Sequence, residues 1–245
     1  MYIWGTILIL PAIIFALIAQ LKVSSAFDHF SQIPSSRGIT AADLARRLLD
    51  QNGCNHVAVT QIGGHLSDHY DPRKRTVALS QSVYASTSIA ALGIAAHEVG
   101  HAIQHQTHYA PLMLRQLVIK STGFVNKLLM PLIIIGLIAS LCVTSATIMG
   151  MPADNFWFYL ILAFAIIYSL SFIVNLITLP TEYNASSRAK KMLAQSNFLS
   201  GAEEQSAVAR VLGAAALTYL ASLIVSFAYM LRFVGLLLSL TGRRN

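Results

Sequence analysis

The residues with the strongest chemical content lie in one pentapeptide, His97-Glu98-Val99-Gly100-His101. On a helix the two histidines stand at i and i+4, so both imidazoles project from one face. Two imidazole nitrogens so placed can reach a single Zn²⁺ at about 2.0–2.1 Å. Glu98 falls one position round the helix, beside the metal, where a general base toward a metal-activated water is needed. With eight histidines and four glutamates in 245 residues, the pattern is expected by chance about 0.004 times. The opposing reading is a pair of core histidines satisfied by hydrogen bonds. A buried His-Glu-His cluster without a cation, however, is costly to desolvate.

A catalytic zinc needs a third protein ligand and one open position. Three other glutamates exist: Glu182, Glu203 and Glu204. Ser200-Gly201-Ala202-Glu203 reads as a capping box opening a helix, and Glu204 as a first-turn carboxylate favoured by the helix dipole. Glu182, in Pro180-Thr181-Glu182-Tyr183-Asn184, has no such role and is otherwise an interfacial anchor. His105 continues the i+4 series, but it lies about 12 Å along the axis from His97, too far to share one ion. A solvated or hydrogen-bonded role is expected for it. Tyr183, Arg188 and His105 are candidates for oxyanion stabilisation only by their nearness to the motifs.

The elements that must carry these residues are mostly apolar. Hydrophobic residues make up 55% and charged residues 11%, against about 25% charged in a soluble domain, and the mean hydropathy is +0.61. This composition excludes a disordered chain, a coiled coil and a highly charged nucleic-acid module. It predicts a membrane protein, mainly α, with three to four transmembrane helices and a small α+β zincin-like catalytic domain. Residues 1–21 form an N-terminal transmembrane helix; Ser24-Ser25-Ala26 resembles a cleavage site, but no basic segment precedes the run. Residues 128–179 form a transmembrane hairpin of two runs, 128–149 and 156–179, joined near Gly150, Pro152 and Asp154. Residues 180–206 carry Glu182 and a linker. Residues 207–245 hold a C-terminal transmembrane or interfacial helix, in which Arg232 marks an interface. Cys54 and Cys142 imply no disulfide framework.

The polar segment 22–127 must fold as a domain. Thr40 caps a helix over 41–51, ended by Asn52-Gly53. Residues 57–62 alternate as a strand, and 76–80 form a second. Asp68-His69-Tyr70-Asp71-Pro72 between them is turn-rich, giving a small two- or three-stranded sheet. The zinc helix follows, from Ser86 or Thr87 to His108, and an amphipathic helix over 111–127 leads into the membrane. The strand 76–80 is expected at the sheet edge beside the zinc helix, where it can pair with an extended peptide; the alternative is an interior strand.

Charge sets orientation. The net charge is +7, from 17 Lys+Arg against 10 Asp+Glu. Ten of these cations lie in 22–127 and four in 180–210, whereas 150–155 has none. The positive-inside rule places the first two segments in the cytoplasm. An integral protein of the cell inner (plasma) membrane is expected, its catalytic domain cytoplasmic. The expected partners are the lipid bilayer and a membrane-associated protein or peptide substrate, not nucleic acid.

The assembled motifs resemble a known group. Glu182 and its following residues are similar to the metal-binding helix of HtpX-like and CAAX-prenyl-protease-like membrane zinc peptidases. The whole chain more closely resembles the YugP-type membrane zinc metallopeptidases. The matching pieces are the N-terminal span, Asp68-His69-Tyr70-Asp71-Pro72, the His97–His101 motif with Ala102, Leu179-Pro180 with Glu182, Ala185-Ser186 with Arg188-Ala189, and Ala214-Ala215-Ala216-Leu217-Thr218-Tyr219. The resemblance implies a zinc endopeptidase with His97, His101 and Glu182 as ligands and Glu98 as base. One departure is Ser186, where the HtpX-like pattern has Asp, a residue able to orient a ligand histidine; Asn184 is an alternative source of that contact. The competing functions are an intramembrane site-2-type protease, which needs a later Leu-Asp-Gly ligand motif that the chain lacks, and a non-enzymatic membrane scaffold or channel with a metal site.

Overall fold

The computed structural model describes residues 2–118 and 153–241. The first helix, α1 (Tyr2–Ser31), is followed by α2 (Ala41–Gln51), β1 (Ala58–Ile62), β2 (His69–Asp71), β3 (Thr76–Ser80), α3 (Gln81–Tyr84) and α4 (Ile89–Gln106). A helix over 110–118, α5, precedes α6 (Ala153–Gln195) and α7 (Gly201–Thr241). The expected run 128–149 and the turn near Gly150 lie outside the described residues. The fold is mainly α-helical with a small α+β region, and three of the described helices are long and apolar enough to cross a membrane.

The chain divides into two units. One comprises 1–16, 114–177 and 221–245; the other comprises 17–113 and 178–220. In the first unit α6 and α7 meet through aromatic rings. Tyr168 stacks on Tyr229 at 4.8 Å and on Phe233 at 5.2 Å between centroids. Asn175 donates to the Ser226 hydroxyl at 3.2 Å, so a polar group within an apolar run is satisfied internally, as a membrane interior requires. Ile9 and Ala12 of α1 pack with Ala228 of α7. Ile7, Leu8 and Leu10 remain exposed, which suits a lipid-facing surface.

The second unit has one hydrophobic core, built from α2, the sheet, α4 and parts of α6 and α7. Thr40 caps α2 by accepting from the Asp43 amide at 3.1 Å, which satisfies one of the helix's orphan donors. Leu44, Leu48 and Leu49 of α2 are almost wholly buried against α4. Ser88 caps α4, and Ser35 and Ala41 donate backbone hydrogen bonds to Thr87 and Ser86, tying the chain after α1 to the start of that helix.

The sheet departs from the sequence expectation. The strand order is β1-β3-β2, with β1 parallel and β2 antiparallel to β3. The turn-rich Asp68–Pro72 cluster contains a strand, and Thr76–Ser80 is central, not an edge. Ala78 is paired with Thr60 on one side and His69 on the other. The free edges belong to β1 and β2. The capping box also shifts by one residue: the Ser200 amide donates to Glu204, at 2.7 Å, and the other Glu204 oxygen accepts from the Ser36 amide and hydroxyl. Glu203 is exposed.

A central strand cannot host proline, because it must give up a ladder donor and clash with a neighbour. Ala78→Pro is therefore expected to cost roughly 3 kcal/mol or more and to collapse the sheet, read as a large fall in the thermal midpoint by circular dichroism. A melt unchanged from wild type would be incompatible with the central placement of β3.

Candidate metal centre

Helix α4 is almost wholly buried, and the portion of α6 after residue 177 packs along it. The two backbones approach closely at Gly100. A Cβ on this residue would stand 2.7 Å from the Ala185 carbonyl oxygen and 3.3 Å from its carbonyl carbon and Cα. Only a residue without a side chain lets the two backbones come so near. Gly100 sits between the histidines in sequence, and Ala185 lies one turn after Glu182, so this contact sets the distance between the donors. Pro180 lies within α6 two residues before Glu182, where its missing N–H interrupts the helix ladder.

The three expected donors meet. His97 Nε2 lies 3.2 Å and His101 Nε2 3.4 Å from the same oxygen of Glu182, Oε2. The donor atoms of the trio all fall within 4.8 Å of one another. The edge of a tetrahedron whose centre is 2.0–2.1 Å from each corner is about 3.3 Å, so these separations fit one zinc ion. Glu182 is 2% and His101 8% exposed.

The contacts around the trio show what charge belongs there. Gln104, fully buried, donates from Nε2 to the Thr181 carbonyl at 2.8 Å and to Asn184 Oδ1 at 3.0 Å. A carbonyl can only accept, so the amide orientation of Gln104 is fixed and its Oε1 faces His101 Nδ1 at 2.9 Å. His101 must donate there. In the neutral imidazole the Nε2 lone pair then points at the Glu182 carboxylate, an arrangement that calls for a cation between them. With a proton in place of that cation, burial works against the charged imidazole at His101, yet Glu182 and Glu98 hold its pKa above the ordinary value. Burial likewise favours a neutral Glu182, but hydrogen bonds from His101 and His97 hold its carboxyl far below the usual range.

His97 Nδ1 meets the Ser186 hydroxyl at 3.1 Å, so Ser186 occupies the orienting place that the sequence comparison gave to an aspartate. Asn184 acts one step further out, holding Gln104 and accepting from Arg188 Nε at 2.8 Å. Gln104 is the residue that sequence reading missed. Its signal was its place three residues after His101 on a mostly apolar helix. Glu98 is 8% exposed, and its charge acts on His101. The three oxyanion candidates are not drawn into the trio's hydrogen bonds: Tyr183 is 48% exposed, Arg188 is engaged by Asn184, and His105 Nδ1 bonds the Tyr70 hydroxyl at 2.9 Å.

Comparison with known proteins fits this geometry. A family model described as "Putative neutral zinc metallopeptidase" matches residues 5–238. The chain is 41% identical over 225 residues to "Putative membrane protease YugP" of Bacillus subtilis (strain 168), covering 92% of each. No solved structure matches.

If the Gly100 contact sets the donor spacing, Gly100→Ala must part the two helices. Its zinc affinity, measured by chelator competition, is expected to fall about ten-fold or more, as for changes to groups that orient ligands. Glu182→Ala should fall at least as far. Wild-type affinity in Gly100→Ala would show that the spacing is set elsewhere.

Proposed function

The chain belongs to the neutral zinc metallopeptidase family, and on that premise we propose that it is a membrane-embedded, zinc-dependent endopeptidase. His97, His101 and Glu182 hold the metal, and Glu98 is the general base. The observation that carries this reading is the convergence of both Nε2 atoms on one oxygen of Glu182, with Glu98 next to His97 in the chain. Zinc supplies a Lewis acid that polarises a peptide carbonyl and makes water acidic at neutral pH.

The protein's own groups do the rest. Gln104 and Ser186 fix the imidazole orientations through the two Nδ1 atoms. Glu98 takes the proton of the attacking water and passes it to the departing amine nitrogen, which leaves as a neutral amine. Its burial places that carboxylate in a low-dielectric setting, where charge effects are stronger than in water. Three protein donors gather among the described residues, the number that a catalytic zinc site uses, its fourth position being kept for water or substrate. A site-2-type intramembrane protease would bring a later Leu-Asp-Gly ligand motif, which the sequence lacks.

Glu98→Gln keeps the side-chain shape and removes the base. Zinc stoichiometry is expected to stay at wild type while peptide hydrolysis falls by ~10²–10⁴-fold; near-normal turnover would sink the mechanism.

We also propose that the catalytic unit faces the cytoplasm. Support comes from the ten cations of 22–127 and four of 180–210, against none in 150–155. Arg46 is a poor reporter position, because it chelates Asp50 and the Val57 carbonyl. A cysteine at exposed Arg73 should instead resist an impermeant thiol reagent in whole cells, and one at Asp154 should react. The opposite labelling pattern would invert the topology.

A further inference from the structure

A cavity of about 500 Å³ lies between the later part of α1 and the first part of α7, away from the metal centre. Ile18 and Leu21 form an apolar wall, and Lys22 and Arg210 provide two cations, with His29 and Phe30 also in the lining. The volume falls in the range of ordinary ligand pockets. We propose that this cavity binds one molecule of an anionic phospholipid. Lys22 and Arg210 hold its phosphate, and an acyl chain lies along Ile18 and Leu21.

The placement of the two cations comes from the chain itself. Residues 2–21 carry no charge and the next residue is Lys22; residues 211–231 carry none and the residue before them is Arg210. One helix passes from apolar to polar at Lys22, and the other from polar to apolar at Arg210. Because both side chains line one cavity, the two boundaries stand at one level. That is the level at which a lipid phosphate meets its acyl chains, and basic pockets between membrane helices are suited to anionic headgroups.

The cations are also available. Among the described residues no carboxylate lies within ion-pair distance of Lys22 or Arg210. Asp28, the acidic residue nearest on α1, is engaged by the Ser24 hydroxyl at 3.3 Å and does not line the cavity. The Arg210 guanidinium carbon stands 4.9 Å from the centre of the Phe30 ring. Stacking of this kind uses the face of the guanidinium and leaves its in-plane N–H groups for a phosphate. Phe30 is buried in the core, so it holds Arg210 on a fixed support. A free polar anion would gain nothing from Ile18 and Leu21, which are 46% and 69% exposed; an amphiphile gains from both walls.

The test uses the full chain in neutral detergent, stripped of lipid and titrated with phosphatidylglycerol, phosphatidylcholine or inorganic phosphate under native mass spectrometry. The wild type should prefer phosphatidylglycerol over phosphatidylcholine by about 25-fold, taking about five-fold for each basic group. Millimolar inorganic phosphate should not displace it. Lys22→Gln and Arg210→Gln should each lose about five-fold of the preference, and the double variant nearly all of it, with zinc content unchanged. Should Arg210→Gln fail to fold, Lys22→Gln at an exposed position still carries the test. Equal retention of the two lipids by the wild type, an undiminished preference in Lys22→Gln, or displacement by inorganic phosphate would each overturn the proposal.

Discussion

The candidate metal centre is built around one steric condition, the absence of a side chain at residue 100. The Ala185 carbonyl oxygen occupies space 2.7 Å from where a Cβ would be. Everything else about the site is measured from that contact. Glu182 is one turn from Ala185 and the histidines flank Gly100, so the distance between two helix backbones becomes the distance between carboxylate and imidazoles. A catalytic site built on helices holds its donors more precisely than one built on loops, provided that the helices cannot slide. The unit's core, packed on several sides of α4, supplies that constraint.

Charge is arranged with the same economy of parts. A run of contacts from the Thr181 carbonyl through Gln104 to His101 Nδ1 decides which ring nitrogen carries the proton. The third donor and the carbonyl that fixes the tautomer of the second are thus adjacent residues of α6, Glu182 and Thr181. Moving α6 would therefore disturb ligand position and ligand protonation together. Ser186, one turn beyond Glu182, performs the matching service for His97, so one short stretch of α6, residues 181–186, addresses both histidines.

Much of this could be read from residue types. The histidine pair was legible because helical spacing alone brings two imidazoles to one face. Glu182 was legible because the other glutamates had ordinary reasons to exist. The limits are equally specific. Gln104 reads as a neutral residue on a helix until α6 is laid against it, since its partners lie 77 and 80 residues away. The capping assignment slipped by one residue because Gly201 adopts φ +74°, which displaces the entry into α7 and brings Glu204, not Glu203, back to the Ser200 amide. The place of β3 was hidden because β1 pairs with it in parallel, across the intervening β2. Its signal was nonetheless present: Val77, Ala78 and Leu79 form an unbroken apolar run, all buried, as expected of a strand covered on both faces, whereas no residue of β1 is fully buried.

The sequence distance between the donors bears on how the protein is made. His97 and Glu182 are 85 residues apart, and the intervening chain includes the apolar run that enters α6. A nascent polypeptide that has displayed the two histidines still lacks the carboxylate, and the carbonyl that sets the His101 tautomer, until most of its length has left the ribosome. During that interval it carries a half-built centre, two histidines without the third donor. On the proposed function, a product that ends before residue 182 has the two histidines without the carboxylate that completes the donor set.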